Sequence, residues 1–386
     1  MSSNGIATTA RWLPLVVILA ISGLGCSPTA GQQGQPPEKP MSLTELLAGD
    51  ETEGFARVLD PRAFEFPADH GPHPEYRSEW WYLTGHLTSA GGRRFGYQFT
   101  LFRNAVAAQP PERSSAWATN QIYMAHFALT DVDGPGFHAF ERLSRGAVDL
   151  AGVEAAPFRA WLEDWEISGD DPPPFRLRAA TAEGIAIELE LSTAKPVVLH
   201  GEEGLSQKGR EPGNASYYYS FTRMPTRGLV TVGYKAFEVQ GSSWLDREWS
   251  TSALEEGQVG WDWFALQLSD GSDLMAYRLR RADGSSDEPS SGTLVGADGS
   301  SQRLAAGDFS IEPRDWWISP ATGVRYPSGW RLTVPGAELD LVITPLLPNQ
   351  EIALSVRYWE GAVAVEGSSA SGAVTGHGYV ELTGYE

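Results

Sequence analysis

Positive charge and cysteine are both scarce in this sequence. Its 386 residues contain one cysteine, Cys26, and 29 Lys and Arg against 49 Asp and Glu, for a net charge of −20. A single cysteine excludes a disulfide framework and any Cys-rich zinc or iron–sulfur site. The deficit of positive charge argues against nucleic acid as a partner, because phosphate binding requires a positive field.

Two catalytic signatures are also missing. The chain contains no Gly-x-Ser-x-Gly motif, so it lacks the nucleophile turn of an α/β-hydrolase. Its seven histidines include no His-Glu-x-x-His run, and the His70–His73 pair lies in a loop rich in Pro and Gly. We therefore expect neither a metal ion nor another cofactor.

The amino end is typical of an export signal. Residues 1–25 combine Arg11 with the apolar run Trp12–Ile21, which is short for a membrane span and suits a signal peptide. Small residues then precede Cys26, an arrangement that resembles a lipobox, in which the cysteine is lipidated. The interpretation is a lipid-anchored protein of the bacterial envelope, on the periplasmic side of the outer membrane, or a secreted protein. An ordinary secretory signal with a chance cysteine is the alternative.

The next segment, residues 26–58, reads as a flexible tether rich in Pro, Gln, Gly and Ser. Ser42–Glu45 has the spacing of a capping box and predicts one short helix within it.

The remaining chain reads as short alternating strands. Trp80–Leu87 and Phe95–Leu101 flank a Gly-Gly turn, and similar pairs lie at Trp261–Leu268 with Leu274–Leu279 and at Arg331–Val334 with Leu339–Thr344. No long segment of helical periodicity follows residue 60, which favours barrels or sandwiches.

A sequence similarity between two segments of the chain, which we call the echo, suggests a duplication. Val239–Asp246 matches Val374–Glu381 at a shift of 135 residues. Two tandem copies of one β unit explain the match, and chance similarity of Gly-rich strands is the alternative. We place an N-terminal domain at 59–252 and a C-terminal domain at 253–386.

Several motifs carry a family resemblance and keep their order along residues 60–386. They are Glu79–Gly85, Ala125–Asp131, Lys195–Gly209, Tyr218–Arg223, Trp244–Trp249, Tyr358–Gly361 and Gly378–Tyr385. Together they resemble the lipocalin-like family that includes AttH-type secreted proteins and carotenoid 1,2-hydratases. The resemblance implies an all-β fold of two lipocalin-like barrels packed together, with an apolar ligand pocket in or between them.

The most promising chemistry lies in Trp244–Trp249. In a strand, Asp246 and Glu248 point to one face and Leu245 and Arg247 to the other. Two neighbouring carboxylates repel, and one pKa rises if that face is dry. The alternative is that the pair forms salt bridges to arginines such as Arg223 and holds the two domains together.

The resemblance to carotenoid hydratases implies roles for these residues. Asp246 would protonate an alkene, and His86 or His126 would orient the water that captures the cation. Trp80, Tyr219, Trp244 and Glu248 would line the ligand site, with the aromatic faces stabilising the cation.

The expected function is therefore binding of an apolar isoprenoid or acyl ligand, with hydration of an alkene if the protein is an enzyme. Two alternatives remain open: a lipid carrier of the envelope without catalysis, and a secreted hydrolase. A glycosidase would use aromatic-flanked carboxylates such as Asp246, Glu248, Asp262 and Glu163.

Overall fold

The structure is a computed structural model that describes residues 41–43, 52–252 and 254–386. The predicted signal peptide, Cys26 and the predicted helix after Leu43 lie outside the described residues. Within them the protein is all-β, with two short 3-10 helices at Ala68–His70 and Pro335–Ala337. No helix in this part of the chain is long and apolar enough to cross a membrane.

A short strand β1 (Met41–Ser42) precedes the N-terminal sheet, which is built from the next thirteen strands. They are β2 (Ser78–Ser89), β3 (Arg94–Ala105), β4 (Gln121–Asp131), β5 (Gly136–Arg145), β6 (Ala151–Ala155), β7 (Phe158–Leu162), β8 (Trp165–Gly169), β9 (Phe175–Ala180), β10 (Ala186–Leu191), β11 (Val198–Leu199), β12 (Leu205–Gln207), β13 (Ala215–Val232) and β14 (Lys235–Ser250). The main path runs β5-β4-β3-β2-β14-β13-β10-β9-β8-β7-β6, and β11 and β12 add to β13.

The C-terminal sheet is a nearly closed barrel. Its strands are β15 (Gln258–Leu268), β16 (Asp273–Arg281), β17 (Ser291–Val295), β18 (Ser301–Ala305), β19 (Ser310–Pro313), β22 (Trp330–Val334), β23 (Leu339–Pro345), β24 (Glu351–Ala353), β25 (Val356–Ser369) and β26 (Gly372–Leu382). Between β19 and β22 the chain forms a separate hairpin of β20 (Trp316–Ile318) and β21 (Arg325–Pro327). The path runs β18-β17-β16-β15-β26-β25-β23-β22-β19, and β1 and β24 add to β25.

The two sheets share one topology at their centres. In each, the first strand forms a hairpin with the second and also pairs with the last: β2 with β3 and β14, and β15 with β16 and β26. Strands β22 and β23 also form a hairpin, so the three hairpins expected from the sequence are present. The two echoing segments occupy the last strands, β14 and β26. This is the arrangement that a duplicated β unit produces.

Alternation gives each central strand one face toward its own core and one toward the other sheet. On β15, Phe264 and Leu266 enter the core of the C-terminal sheet, whereas Trp263 and Ala265 belong to a cluster that mixes residues of both sheets. We call the contact between these outward faces the seam. Because successive side chains of a strand point to opposite faces, the same strands contribute to the core of their own sheet and to the seam.

The segment expected to be a free tether is partly ordered by pairing. Met41 and Ser42 pair in parallel with Val356 and Arg357 of β25, and Leu43 is buried. Composition alone missed this because a two-residue pairing leaves no periodic signal.

Candidate functional site: a cavity at the seam

A cavity of about 120 Å³ lies between the two sheets. Both sheets supply its walls through their outward faces. Its lining comprises Leu43, Ser78, Trp80, Tyr82, Thr100, Phe102, Lys208, Ser216, Tyr218, Asp246, Glu248, Ser250, Ser252, Leu254, Trp261, Trp263, Tyr277, Leu279 and Glu381. The cavity is therefore largely aromatic and aliphatic, with a few charged groups.

Strand β14 contributes the acidic part of the wall, as the alternation predicts. Asp246 and Glu248 line the cavity, whereas Leu245 and Trp249 lie in the core of the N-terminal sheet. Opposite Asp246 across the ladder stands Tyr82, and opposite Glu248 stands Trp80, so β2 presents its aromatic face to the same space.

Asp246 is held by three donors. Trp244 donates from Nε1 to Oδ1 at 2.6 Å, Ser220 donates its hydroxyl to the same oxygen, and Tyr218 donates its hydroxyl to Oδ2. Burial raises the pKa of Asp246 to about 7, although the three hydrogen bonds oppose the rise. This carboxyl is therefore partly protonated at neutral pH and fixed in orientation.

Glu248 has a cation beside it. Lys208 Nζ lies 3.1 Å from Glu248 Oε1, and its ammonium stacks over the rings of Tyr218 and Tyr277. Burial opposes the charge of Lys208, but Glu248 raises its pKa above the ordinary value. Arg223, the arginine considered as a partner from the sequence, pairs instead with Asp273 at 2.6 Å.

A second acid pair stands on the C-terminal wall. Glu381 of β26 lines the cavity, and Glu360 of β25 is its direct cross-strand partner. Trp261 donates its indole N–H to Glu381, and Tyr82 donates its hydroxyl to Glu360 Oε1 at 2.7 Å. Burial raises the pKa of Glu381 to about 7, and burial together with the charge of Glu381 raises the pKa of Glu360 well above its usual value.

The structure brings some of the predicted residues to this cavity and leaves others away from it. Asp246, Glu248 and Trp80 line it, whereas Trp244 is outside the lining and donates a hydrogen bond to Asp246. Tyr219 lies on the opposite face of β13, in the core of the N-terminal sheet, where its hydroxyl meets His70 Nδ1 at 2.6 Å.

The two histidines expected to orient water are outside the lining. His86 lies at the seam next to His377, with Nε2 2.8 Å from the carbonyl oxygen of Gly378, and burial lowers its pKa to about 3. His126 is buried between Tyr358 and Glu141, at 2.8 and 3.0 Å from its two ring nitrogens. The geometry gives neither ring a direct approach to the cavity, and their assigned roles stay predictions.

Sequence reasoning missed several lining residues, chiefly Tyr82, Tyr218, Lys208, Trp263 and Glu381. Strand alternation provided a signal for one of them, because Tyr82 lies two residues after Trp80 and therefore faces the same side of the strand. The echo provided another, because it aligns Glu381 with Asp246. Lys208 precedes β13 on a loop and had no such signal.

Metal binding has no support in the described part of the chain. There, no group of three or more His, Cys, Asp or Glu side chains is arranged to hold a metal ion. The site is therefore made of protein acids, hydroxyls, one ammonium and aromatic rings.

An all-β protein of two lipocalin-like sheets, with a cavity between them, is the class that this fold and site define. A family model described as AttH-like matches residues 57–385. The chain belongs to the AttH-like family.

Solved structures extend the comparison. The crystal structure of a protein assigned as AttH from Nitrosomonas europaea shares 34% identity and covers 86% of this chain and 100% of its own, with a TM-score of 0.76. Kievitone hydratase from Nectria haematococca shares the fold at 17% identity, covering 90% and 98% with a TM-score of 0.65. CghA, solved with Sch210972, shares it at 12% identity, covering 86% and 97% with a TM-score of 0.50. A search of curated proteins finds no match.

Proposed function

We propose that the seam cavity binds the unsaturated end of a neutral apolar molecule and that Asp246 protonates its carbon–carbon double bond to begin the addition of water. The observation that carries the proposal is a carboxyl group, only 4% exposed, fixed by three donors in the wall of an aromatic cavity. The occurrence of a hydratase among proteins of this fold is consistent with it.

Protonation of carbon requires an acid that remains protonated near neutral pH. Asp246 meets this requirement, because burial raises its pKa to about 7. An acid with a pKa near the operating pH combines a useful protonated fraction with a strong tendency to give up its proton. The donors on both oxygens also stabilise the carboxylate that remains after the transfer.

The cation formed by protonation needs stabilisation, and the walls supply it. Trp80, Trp261 and Trp263 line the same space, and an aromatic face near a cation contributes ~0.5–2 kcal/mol. The proton leaves Asp246 for one alkene carbon, the oxygen of a water bonds to the other, and that water loses a proton. Alkene and water thus become an alcohol with all atoms balanced.

The charges of the cavity select among apolar ligands. Three acids line it, Asp246, Glu248 and Glu381, against one cation among the described lining residues, Lys208, which Glu248 already pairs. An ionised fatty acid would be repelled by this surplus of acid, because like charges interact strongly at low dielectric. A neutral isoprenoid is therefore the better candidate than a free fatty acid.

The experiment uses the full-length protein with geraniol and farnesol in heavy-oxygen water, read out by mass spectrometry. We expect an alcohol that carries one heavy oxygen more than the starting compound. Asp246→Asn should abolish the product, and Asp133→Asn, which alters an exposed carboxyl paired with Arg94, should retain it.

Two results would overturn the proposal in different ways. Binding of the probes by the wild-type protein without any water addition would indicate a carrier. Absence of both binding and turnover would reject a neutral apolar alkene as the ligand.

We further propose that the protein is exported and anchored by a lipid on Cys26, as the amino-terminal sequence suggests. Membrane fractionation of cells that produce the wild type or Cys26→Ser tests this. Loss of the variant from the membrane fraction would support lipidation, and equal membrane association would contradict it.

A further inference from the structure

The internal echo places a second acid on the opposite wall of the cavity. Asp246 and Glu381 occupy matching positions in the two echoing segments, on β14 and β26. Both strands are the last of their sheets and pair with the first. Because the sheets meet through these outward faces, the equivalent acids line one cavity from two sides.

The two acids differ in the residue that each faces on the neighbouring strand. The partner of Asp246 on the neighbouring strand β13 is Ser220, whereas the partner of Glu381 on β25 is Glu360. Carboxylates directly opposite each other across a ladder repel, so one of Glu360 and Glu381 keeps a proton. Glu360 is wholly buried, and its Oε2 has no hydrogen-bond partner among the described residues.

The donors assign the proton to Glu360. Glu381 accepts from the indole of Trp261, which favours its ionised form, and the interaction between the two carboxyl groups raises the pKa of Glu360 and lowers that of Glu381. Tyr82 holds the other oxygen of Glu360. This arrangement leaves a carboxylate on the C-terminal wall that faces the same space as Asp246.

We propose that Glu381 is a second catalytic residue, the base that takes the proton of the attacking water, and that Glu360 is its positioning residue. The inference rests on the proposed hydration at Asp246 and deepens it by assigning the two halves of the reaction to the two repeats. Asp246 gives its proton to carbon, and the oxygen of water bonds to the cation. Glu381 receives the proton that this water loses.

The cycle closes without any other reactant. After one turnover Asp246 is ionised and Glu381 protonated, and a proton returns from Glu381 to Asp246 through water that enters as the alcohol leaves. The net reaction remains the addition of one water to one alkene.

The test separates carbon protonation from water capture. The full-length protein is incubated with geraniol in deuterium oxide, and both the alcohol and the recovered alkene are analysed. We expect Glu381→Gln to lower the rate of alcohol formation at least ~100-fold, the lower end of what a general base contributes. Deuterium should still enter the recovered or isomerised alkene, because Asp246 can still protonate carbon and the cation then loses a different proton.

Asp246→Asn should abolish both signals, and Glu366→Gln should leave both unchanged, because Glu366 lies on β25 and is exposed. Alcohol formation at the wild-type rate in Glu381→Gln would overturn the inference while the proposed function stood. Absence of both signals in the wild-type protein would instead reject the proposed function, and the inference with it.

Further variants guard against a misfolded Glu381→Gln protein. Glu381→Asp keeps the base but draws it back by one methylene, so kcat should fall with little change in KM. Glu360→Gln keeps a neutral donor and should retain more activity than Glu360→Leu. Equal activity of these two Glu360 variants would contradict the positioning role.

Discussion

Two buried acidic groups lie on opposite faces of the neighbouring strands β2 and β14, and their pKa values shift in opposite directions. On the inner face, which is turned toward the core of the N-terminal sheet, Glu79 accepts hydrogen bonds from both Arg103 and Arg247. Burial alone would raise the pKa of Glu79, but the two guanidinium groups hold it well below its usual value. On the seam face, Asp246 is also buried but is held by neutral donors, and its pKa rises to about 7.

The difference shows that burial by itself does not decide what a carboxylate does. Cations beside Glu79 keep it charged and make it a structural link between β2, β3 and β14. Hydroxyl and indole donors beside Asp246 fix its position but leave its charge uncompensated, so it exchanges a proton near neutral pH. Arg247 is next to Asp246 in sequence, yet it serves the inner face because alternation points it there.

The largest loss of unfolding free energy is expected from removing the carboxylate of Glu79 on the inner face. Glu79→Gln leaves two buried guanidinium groups without their carboxylate, and removal of one partner from a buried ion network costs about 3–5 kcal/mol. Urea denaturation of the variant should show this loss of unfolding free energy. Glu188→Gln, at an exposed position of β10, should cost far less, and equal costs would refute the contrast.

On the seam face, Asp246 should make the unfolding free energy depend on pH between acid and neutral conditions. Folded Asp246 keeps its proton up to about pH 7, whereas the unfolded chain releases it near 3.8. The contribution of Asp246 to the unfolding free energy therefore falls as pH rises through this window, and Asp246→Asn removes that contribution. Relative to the wild type, the variant should gain about 2–4 kcal/mol between the acid and the neutral end. Denaturation curves that stay parallel across the window would contradict the raised pKa.

The hydrogen bond from Tyr218 provides a finer test of how Asp246 is tuned. Tyr218→Phe removes a donor that lowers the pKa of Asp246, so the alkaline limb of the rate profile should move upward by about one pH unit or less. The pH dependence of kcat/KM on geraniol measures this shift. A downward movement would show that Tyr218 favours the protonated acid instead.

Tyr219 is the matched control on the other face of the same strand. Tyr219→Phe removes the hydroxyl contact with His70 in the core, which should cost about 1 kcal/mol of unfolding free energy. Its rate profile should keep the wild-type alkaline limb. A shift of the alkaline limb in Tyr219→Phe would contradict the distinction between the two faces. It would support the ligand-binding role that the sequence suggested for Tyr219.

Local patterning determined a large part of this protein. Turn residues and alternating apolar positions were enough to predict the all-β fold and the three hairpins. Alternation also predicted that Asp246 and Glu248 share one face, because side-chain direction in a strand depends only on position along it. The echo predicted two tandem copies of one β unit, and the structure places the echoing segments on the last strands of the two sheets.

Long-range register and packing decided the rest. Tyr218 reaches the seam and Tyr219 the core because Ser220 pairs with Asp246 across β13 and β14, and this register is not encoded in either segment alone. Met41 pairs with Val356 of β25, far along the chain, which local composition does not reveal. The cavity exists only where the outward faces of the two sheets meet. Asp246 and Glu381 owe their raised pKa values to the water which that contact excludes, because the one cation among the described lining residues, Lys208, pairs with Glu248 instead.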